Sequence, residues 1–284
     1  MRQIDQRHQQ GHVPIGATSG RRTILPKQET FEIFDLEVAN DRRRMSDCHS
    51  VRWHVFGQDG TSGDECRGME TDAMDSRSVQ VICYHRASGM PCATFRIVLC
   101  NAEDPLAKFP IEEKTDLTSV SGRLFRHMPT RRFGIAEISR FCILKEFRRG
   151  GVEEGAPPAG IDPRVWASEE RHRLGLAGLL WLGAAEIACH LHVEQLYALM
   201  ETRLARLAEI TGVLFEQLGP EVPRPGAMRA PYVAGQSSLR SLLAKANGMD
   251  VAKRLCEDIA GQLSKNPILH RHGYAGTMPQ VASC

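Results

Sequence analysis

Residues 169–192 read EERHRLGLAGLLWLGAAEIACHLH, and the fold turns on how this stretch packs. Leu174, Leu176, Leu179, Leu180, Leu182, Ile187 and Leu191 recur at helical spacing, which predicts a buried helix of about six turns over Glu169 to His192. Downstream, Gln195 to Met200 reads as a strand, Glu201 to Thr211 as a helix stopped by Gly212, and Val213 to Leu218 as a further strand. Upstream, Val79 to His85 and Thr94 to Leu99 are rich in β-branched and aromatic residues around a Ser88-Gly89 turn, the pattern of an antiparallel hairpin. Ile135 to Leu144 supplies a third strand. Helices and strands alternating in this way predict an α/β sandwich around one sheet.

The rest of the chain is less regular. Phe31 to Phe56 fits helical packing in pieces, and Asp250 to Leu263 reads as a terminal amphipathic helix. Between Arg148 and Ser168, Gly150, Gly151, Gly155, Pro157, Pro158, Gly160 and Pro163 predict a long surface loop without regular structure. The expected division is a loose N-terminal arm (1–30), a main domain (31–235) and a C-terminal helical extension (236–284).

Composition limits the function. The chain has 284 residues, 42% of them hydrophobic and 25% charged, so it can bury a sizeable core. Its formal net charge of +2 implies no extended nucleic-acid-binding surface. Nine scattered cysteines without a C-x-x-C pair point to reduced thiols and a cytoplasmic location. The apolar stretch from Leu174 to Leu191 is broken by Gly175, Gly178, Gly183, Glu186 and His190, and the polar start lacks an apolar signal core, so neither a membrane span nor a signal peptide is expected. Cys189, His190 and His192 crowd one helix end without the dispersed spacing of metal ligands, so no metal is expected.

Charge inside predicted core strands is more telling. Glu70, Asp72 and Asp75 fall within six residues, and in an extended segment Glu70 and Asp72 point the same way. Arg52 lies upstream of them, Arg96 sits inside an apolar strand, and Glu137, Ser139 and Arg140 occupy the third strand. Buried charges need partners, and these supply the acidic and basic halves of one network. Arg148-Arg149-Gly150-Gly151-Val152-Glu153 resembles a phosphate-cradling turn, but Glu153 stands where a carboxylate would repel phosphate.

Five ordered elements, Arg52 to Phe56, Glu70 to Asp75, Arg96, Phe109-Pro110 and Glu137 to Arg140, resemble the acyl-homoserine-lactone (autoinducer) synthases and the related N-acyl amino acid synthases, including exosortase-associated acyltransferases. The resemblance spans roughly Phe31 to Gly219 and implies a GNAT-like α/β/α sandwich with a mixed, splayed central sheet. It implies that Glu137, with Ser139 and Arg140, is catalytic, and that Arg52, Phe56, Glu70, Asp72, Asp75, Arg96 and Phe109 bind substrate. The implied donor is acyl carrier protein, with no tightly bound cofactor. The acceptor is S-adenosylmethionine, giving a lactone signal of the quorum-sensing kind, or an amino acid. The tryptophan that usually follows the Arg52 element is missing, since Gly57, Gln58, Asp59 and Gly60 stand there, whereas Tyr197 to Pro220 and the long Gly/Pro loop before it look more like the exosortase-associated and N-acyl amino acid branch. Arg123, Arg126, Arg131 and Arg132 form a basic cluster suited to docking an acidic carrier. A non-catalytic module that binds carrier or nucleic acid through its arginines is the contrasting reading, against which a base at Glu137 counts.

Overall fold

The computed structural model describes residues 24–57, 68–115, 132–148, 157–173, 175–224, 226–272 and Tyr274. In chain order the elements are α1 (Gln28–Ile33), β1 (Phe34–Val38), α2 (Arg42–Phe56), β2 (Ser78–His85), β3 (Met90–Leu99), α3 (Pro110–Lys114), β4 (Ile135–Ile143), α4 (Pro163–Arg173), α5 (Leu176–His190), β5 (Gln195–Met200) and α6 (Thr202–Thr211). β6 (Glu216–Gln217), β7 (Val222–Arg224), β8 (Ala227–Gly235), α7 (Gln236–Ala246), α8 (Asp250–Leu263) and α9 (Pro267–Arg271) follow. One sheet runs β1-β2-β3-β4-β5-β8-β6, with β7 on β8. All its pairings are antiparallel except β4 with β5, so the sheet is mixed.

The two faces of the sheet carry different cores. α5 is apolar nearly all round, and it lies in the main core with Leu239 and Leu242 of α7 and Ile259 and Leu263 of α8. Gly183 lets α5 settle onto β1, because a Cβ there would come within 2.4 Å of Leu36. On the other face α2 covers β2, β3 and β4 over a smaller cluster of Ala39, Cys48, Val51, Ile82 and Cys142. Helices on both faces of a mixed sheet make the α/β/α sandwich.

Several elements depart from the sequence expectation. The helical reading of Phe31 to Phe56 is interrupted by β1, where Phe34, Leu36 and Val38 are buried and Asp35 and Glu37 are not, a period of two. The loop expected up to Ser168 becomes helical at Pro163, whose missing N–H costs nothing in a first turn, and Asp162 accepts from the Arg164 N–H at 2.7 Å. The long helix expected over Glu169 to His192 is the end of α4 followed by α5, with the break at Gly175. There the backbone approaches Thr30 so closely that a Cβ would sit 2.3 Å from its hydroxyl. The strand expected over Val213 to Leu218 shrinks to Glu216–Gln217, while β7 and β8 were not foreseen. Helix α6 stops as expected at Gly212, in the left-handed region at φ 106°.

The C-terminal helices share the main core rather than standing apart from it. α8 also closes the open edge of β1, since Gln262 accepts from the Val38 N–H at 2.7 Å and its carbonyl accepts from Asn40 at 2.7 Å. The feature that shapes the site is in the middle of the sheet. β4 and β5 pair from Ile135 with Gln195 to Ile138 with Ala198 and then part, although β4 runs on to Ile143 and β5 to Met200.

Candidate active site

The acidic segment is folded inward by its own local structure. Asp72 caps a 3₁₀ turn over Ala73–Arg77, accepting from the Met74 N–H at 2.9 Å while its own N–H donates to Asp75 at 2.9 Å. Three arginines from three elements meet the carboxylates. Arg52 of α2, wholly buried, pairs with Glu70 and donates to both oxygens of Asp75 at 2.7 and 3.2 Å. Arg96 of β3 forks onto Asp72 at 2.5 and 2.8 Å, reaches Asp75, and gives its Nε–H to Ser139 Oγ at 2.9 Å. Arg140 of β4 bonds Glu70 at 2.6 Å and Asp72 at 3.0 Å, and its guanidinium lies 5.7 Å from the centre of the Phe56 ring.

The network is therefore neutral, three guanidiniums against three carboxylates. Burial would raise the pKa of each acid, but the arginines outweigh it: Arg140 and Arg52 at Glu70, Arg96 and Arg140 at Asp72, Arg52 and Arg96 at Asp75. All three sit below the usual carboxylate range. Solvent reaches the cluster mainly at Asp72 and Arg140, whose side chains are 30% and 23% exposed.

A β-bulge makes this possible. Thr94 pairs with Cys142 and Arg96 with Ser139, so two residues of β4, Arg140 and Phe141, oppose Phe95 alone. Arg140 takes the left-handed φ of 52°, an uncommon and strained choice for a residue with a Cβ. Strict alternation would send Arg140 to the opposite face from Glu137 and Ser139. The bulge turns it onto their face, while Phe141 stacks on Trp181 of α5 with ring centres 4.6 Å apart.

Glu137 lies beside this network without joining it. Its carboxylate is buried and accepts from the Ile111 N–H of α3 at 2.8 Å, with no cation at ion-pair distance among the described residues. Burial pushes its pKa up to about 8, against the opposing pull of the Ile111 N–H, Lys114 and Arg96. α3 is held in place by a clasp. Glu112 accepts from the Phe109 N–H at 2.7 Å and from Arg132 at 3.0 and 2.7 Å, while the Phe109 ring lies between the guanidiniums of Arg77 and Arg132, at 5.3 and 5.1 Å.

Two residues singled out in the sequence, Phe109 and Arg132, belong to this clasp. Phe109, expected to bind substrate, is buried in this clasp and positions α3. Arg132, expected on a docking surface, is only 11% exposed, and its two terminal nitrogens donate to Glu112 and the Ala107 carbonyl. Arg123, Arg126 and Arg131, like Arg149 to Glu153 of the phosphate-turn motif, lie outside the described residues. Sequence reading missed Gln80, which donates to Asp75 at 2.9 Å and accepts from Arg52, and Lys114 beside Glu137. A polar Gln80 amid the apolar strand 79–83 was the available signal. Among the described residues no group of His, Cys, Asp and Glu could hold a metal, and no helix is long and apolar enough to cross a membrane.

Residues 51–156 match the acetyltransferase (GNAT) domain family. The fold of the chain is similar to that of TofI. TofI, solved in a ternary complex with an inhibitor and MTA, superposes with a TM-score of 0.50 at 19% identity, covering 74% of this chain and 96% of TofI. BjaI, a CoA-dependent acyl-homoserine lactone synthase solved with SAM and isopentyl-CoA, gives 0.49 at 16% identity, covering 78% of this chain and 98% of its own. FeeM, an N-acyl amino acid synthase from uncultured soil microbes, gives 0.45 at 13% identity, over 76% and 98%. No curated protein matches the chain by sequence.

Proposed function

We infer that the protein transfers a fatty acyl group from the thioester of acyl carrier protein to the amine of a small acceptor bearing an α-amino acid headgroup. The observation that carries this is Glu137, a buried carboxyl with a pKa near 8 beside the point where β4 and β5 part. A base so poised can take an amine proton close to neutral pH. The parted strands offer a slot for the thioester, and backbone N–H groups of β4 beyond Ile138 would polarise its carbonyl. The amine nitrogen bonds to the carbonyl carbon, its proton passes to Glu137 directly or through water, the carbon–sulfur bond breaks, and Glu137 returns that proton to the departing thiolate, which leaves as the thiol. Ser139, Arg140 and the rest of the network hold β4 in the bulged form that keeps Glu137 in place.

S-adenosylmethionine is the first acceptor considered, and cyclisation after acyl transfer would release methylthioadenosine and an N-acyl-homoserine lactone. TofI, which shares the fold, was solved with MTA. A free amino acid is the second. It is favoured by the neutrality of the network: Glu70, Asp72 and Asp75 are matched by Arg52, Arg96 and Arg140, which leaves no surplus anion for a sulfonium. Incubating the protein with acyl carrier proteins of several chain lengths, and with S-adenosylmethionine or an amino acid mixture, tests both by thiol release and product mass. A lactone with methylthioadenosine supports the first, a linear N-acyl amino acid supports the second, and no thiol release with any acceptor rejects the reading.

A further inference from the structure

Among the described residues, two cations near the site stand outside the network, Arg229 of β8, which feels Arg140, and Lys114, which feels Glu137 as well. Arg52, Arg96 and Arg140 are committed to Glu70, Asp72 and Asp75, so none is free to receive a further anion without giving up a partner. Lys114 closes α3, one turn beyond the Ile111 N–H that holds Glu137. Its ammonium makes no hydrogen bond or ion pair with any described residue. The side chain reaches solvent, but the protein packed around its base desolvates it and, with Arg140, lowers its pKa, while Glu137 and Asp72 pull the other way. Asp72 and Arg140 are the solvent-facing members of the network, so the lysine stands at the open side of the site, beside the candidate base.

We propose that Lys114 binds the carboxylate of the acceptor's α-amino acid headgroup and so holds the adjacent amine against Glu137. An α-amino acid presents an amine and a carboxylate on one carbon, and this site offers a base at the Ile111 N–H and, one turn on, a cation with no partner among the described residues. An ammonium suits the task, since it is a mobile point charge that can follow acceptors of different bulk. The assignment rests on the acyltransferase reading and narrows it to acceptors with a free carboxylate.

The test uses the full chain, an acyl carrier protein donor, and whichever of S-adenosylmethionine or the common L-amino acids the wild type acylates fastest. That acceptor is compared with the corresponding L-amino acid α-carboxamide. Lys114→Gln should raise KM for the carboxylate acceptor by about 10-fold or more, the loss expected for one charge-assisted contact. kcat and the donor KM should move far less, the carboxamide, already poor with the wild type, should lose little more, and Lys114→Arg should recover most of the affinity. A carboxylate acceptor KM unchanged in Lys114→Gln overturns the assignment, as does a rise in the donor KM instead, which would place the lysine on the donor's phosphate. If the wild type acylates no acceptor at all, the acyltransferase reading fails and this assignment falls with it, an outcome distinct from transfer that ignores Lys114.

Discussion

Glu70, Asp72 and Asp75 on one side and Glu137 on the other lie at the same face of one sheet, and their protons are driven in opposite directions. The first three meet guanidiniums and stay ionised, whereas Glu137 meets an amide N–H and a low-dielectric wall, and its pKa rises to about 8. The difference is one of partners more than of depth, because burial raises every one of these acids and only the arginines reverse it. Carboxylates whose environments push their protons apart divide the labour of a site. In the proposed reaction the ionised group would fix the scaffold and the lone acid would do the proton work.

Breaking the ionised side should have the largest effect. Arg96→Ala leaves Asp72 and Asp75 without a principal partner in a buried setting, and we expect a loss of roughly 3–5 kcal/mol in stability by chemical denaturation. Asp72→Asn should cost less, because Asp72 is partly exposed. In the double variant the losses should fall well short of their sum, since each substitution relieves the charge that the other strands. Strict additivity would show that the two residues do not form one unit.

The lone acid should behave otherwise. Glu137→Gln keeps the size and the hydrogen-bonding oxygen of a group that is largely protonated at neutral pH, so the melting temperature should scarcely change. Acyl transfer, read by thiol release, should fall by about 10²-fold or more, as when a positioned base is removed. The wild-type rate should climb with pH through about 8 as Glu137 ionises. A normal rate in a folded Glu137→Gln variant would remove the residue from the chemistry.

How much of this was legible in sequence depended on the range of the signal. β5, α6 and α8 follow from local periodicity and from Gly212, and they lie within a residue or so of where the pattern puts them. The charged residues of the site stood out because Arg96 and Glu137 interrupt apolar strands. What brings Arg140 to them is a bulge, and a bulge exists only between two paired strands, so no pattern within β4 could reveal it. Pro223 and Pro231 hid β7 and β8, because proline argues against a strand interior until the pairing partner is known. Lys114 was silent for a similar reason, since α3 takes its place through contacts distant in sequence, the clasp of Phe109, Glu112 and Arg132 and the Ile111 N–H on Glu137.

The two kinds of acid should also respond oppositely to pH in stability. For Glu70, Asp72 and Asp75 the folded values lie below the ordinary 4.5, 3.8 and 3.8, so their contribution is present above that range and is lost as pH falls through the folded values. For Glu137 the folded value of about 8 lies above the ordinary 4.5, so the native state holds the extra proton between them. Its contribution is full below 4.5 and is lost as pH rises to about 8, at up to about 1.4 kcal/mol per pH unit. Denaturant titrations of wild type and Glu137→Gln at pH 5, 6.5 and 8 should therefore diverge, the variant gaining on the wild type as pH rises. Parallel curves would mean that Glu137 is ionised throughout.

The smallest effects should come from the arginines before β4, and they separate scaffold from surface. Arg132 acts on Glu137 at one remove, since it grips Glu112 and Phe109 at the start of α3, whose Ile111 N–H holds the acid. Arg132→Gln should therefore lower kcat several-fold with a carrier donor and with a small acyl thioester alike. Arg123, Arg126 and Arg131 carry the proposed docking of the acidic carrier, and their joint replacement by glutamate should raise KM for the carrier only. Added salt should weaken the wild type with the carrier in the same sense, because exposed charges are screened over roughly 8–10 Å at moderate ionic strength. A small thioester, which carries none of the carrier's acidic surface, should be nearly indifferent to both. If the triple variant and Arg132→Gln share one profile with both donors, the cluster is scaffold throughout, and the carrier must dock elsewhere.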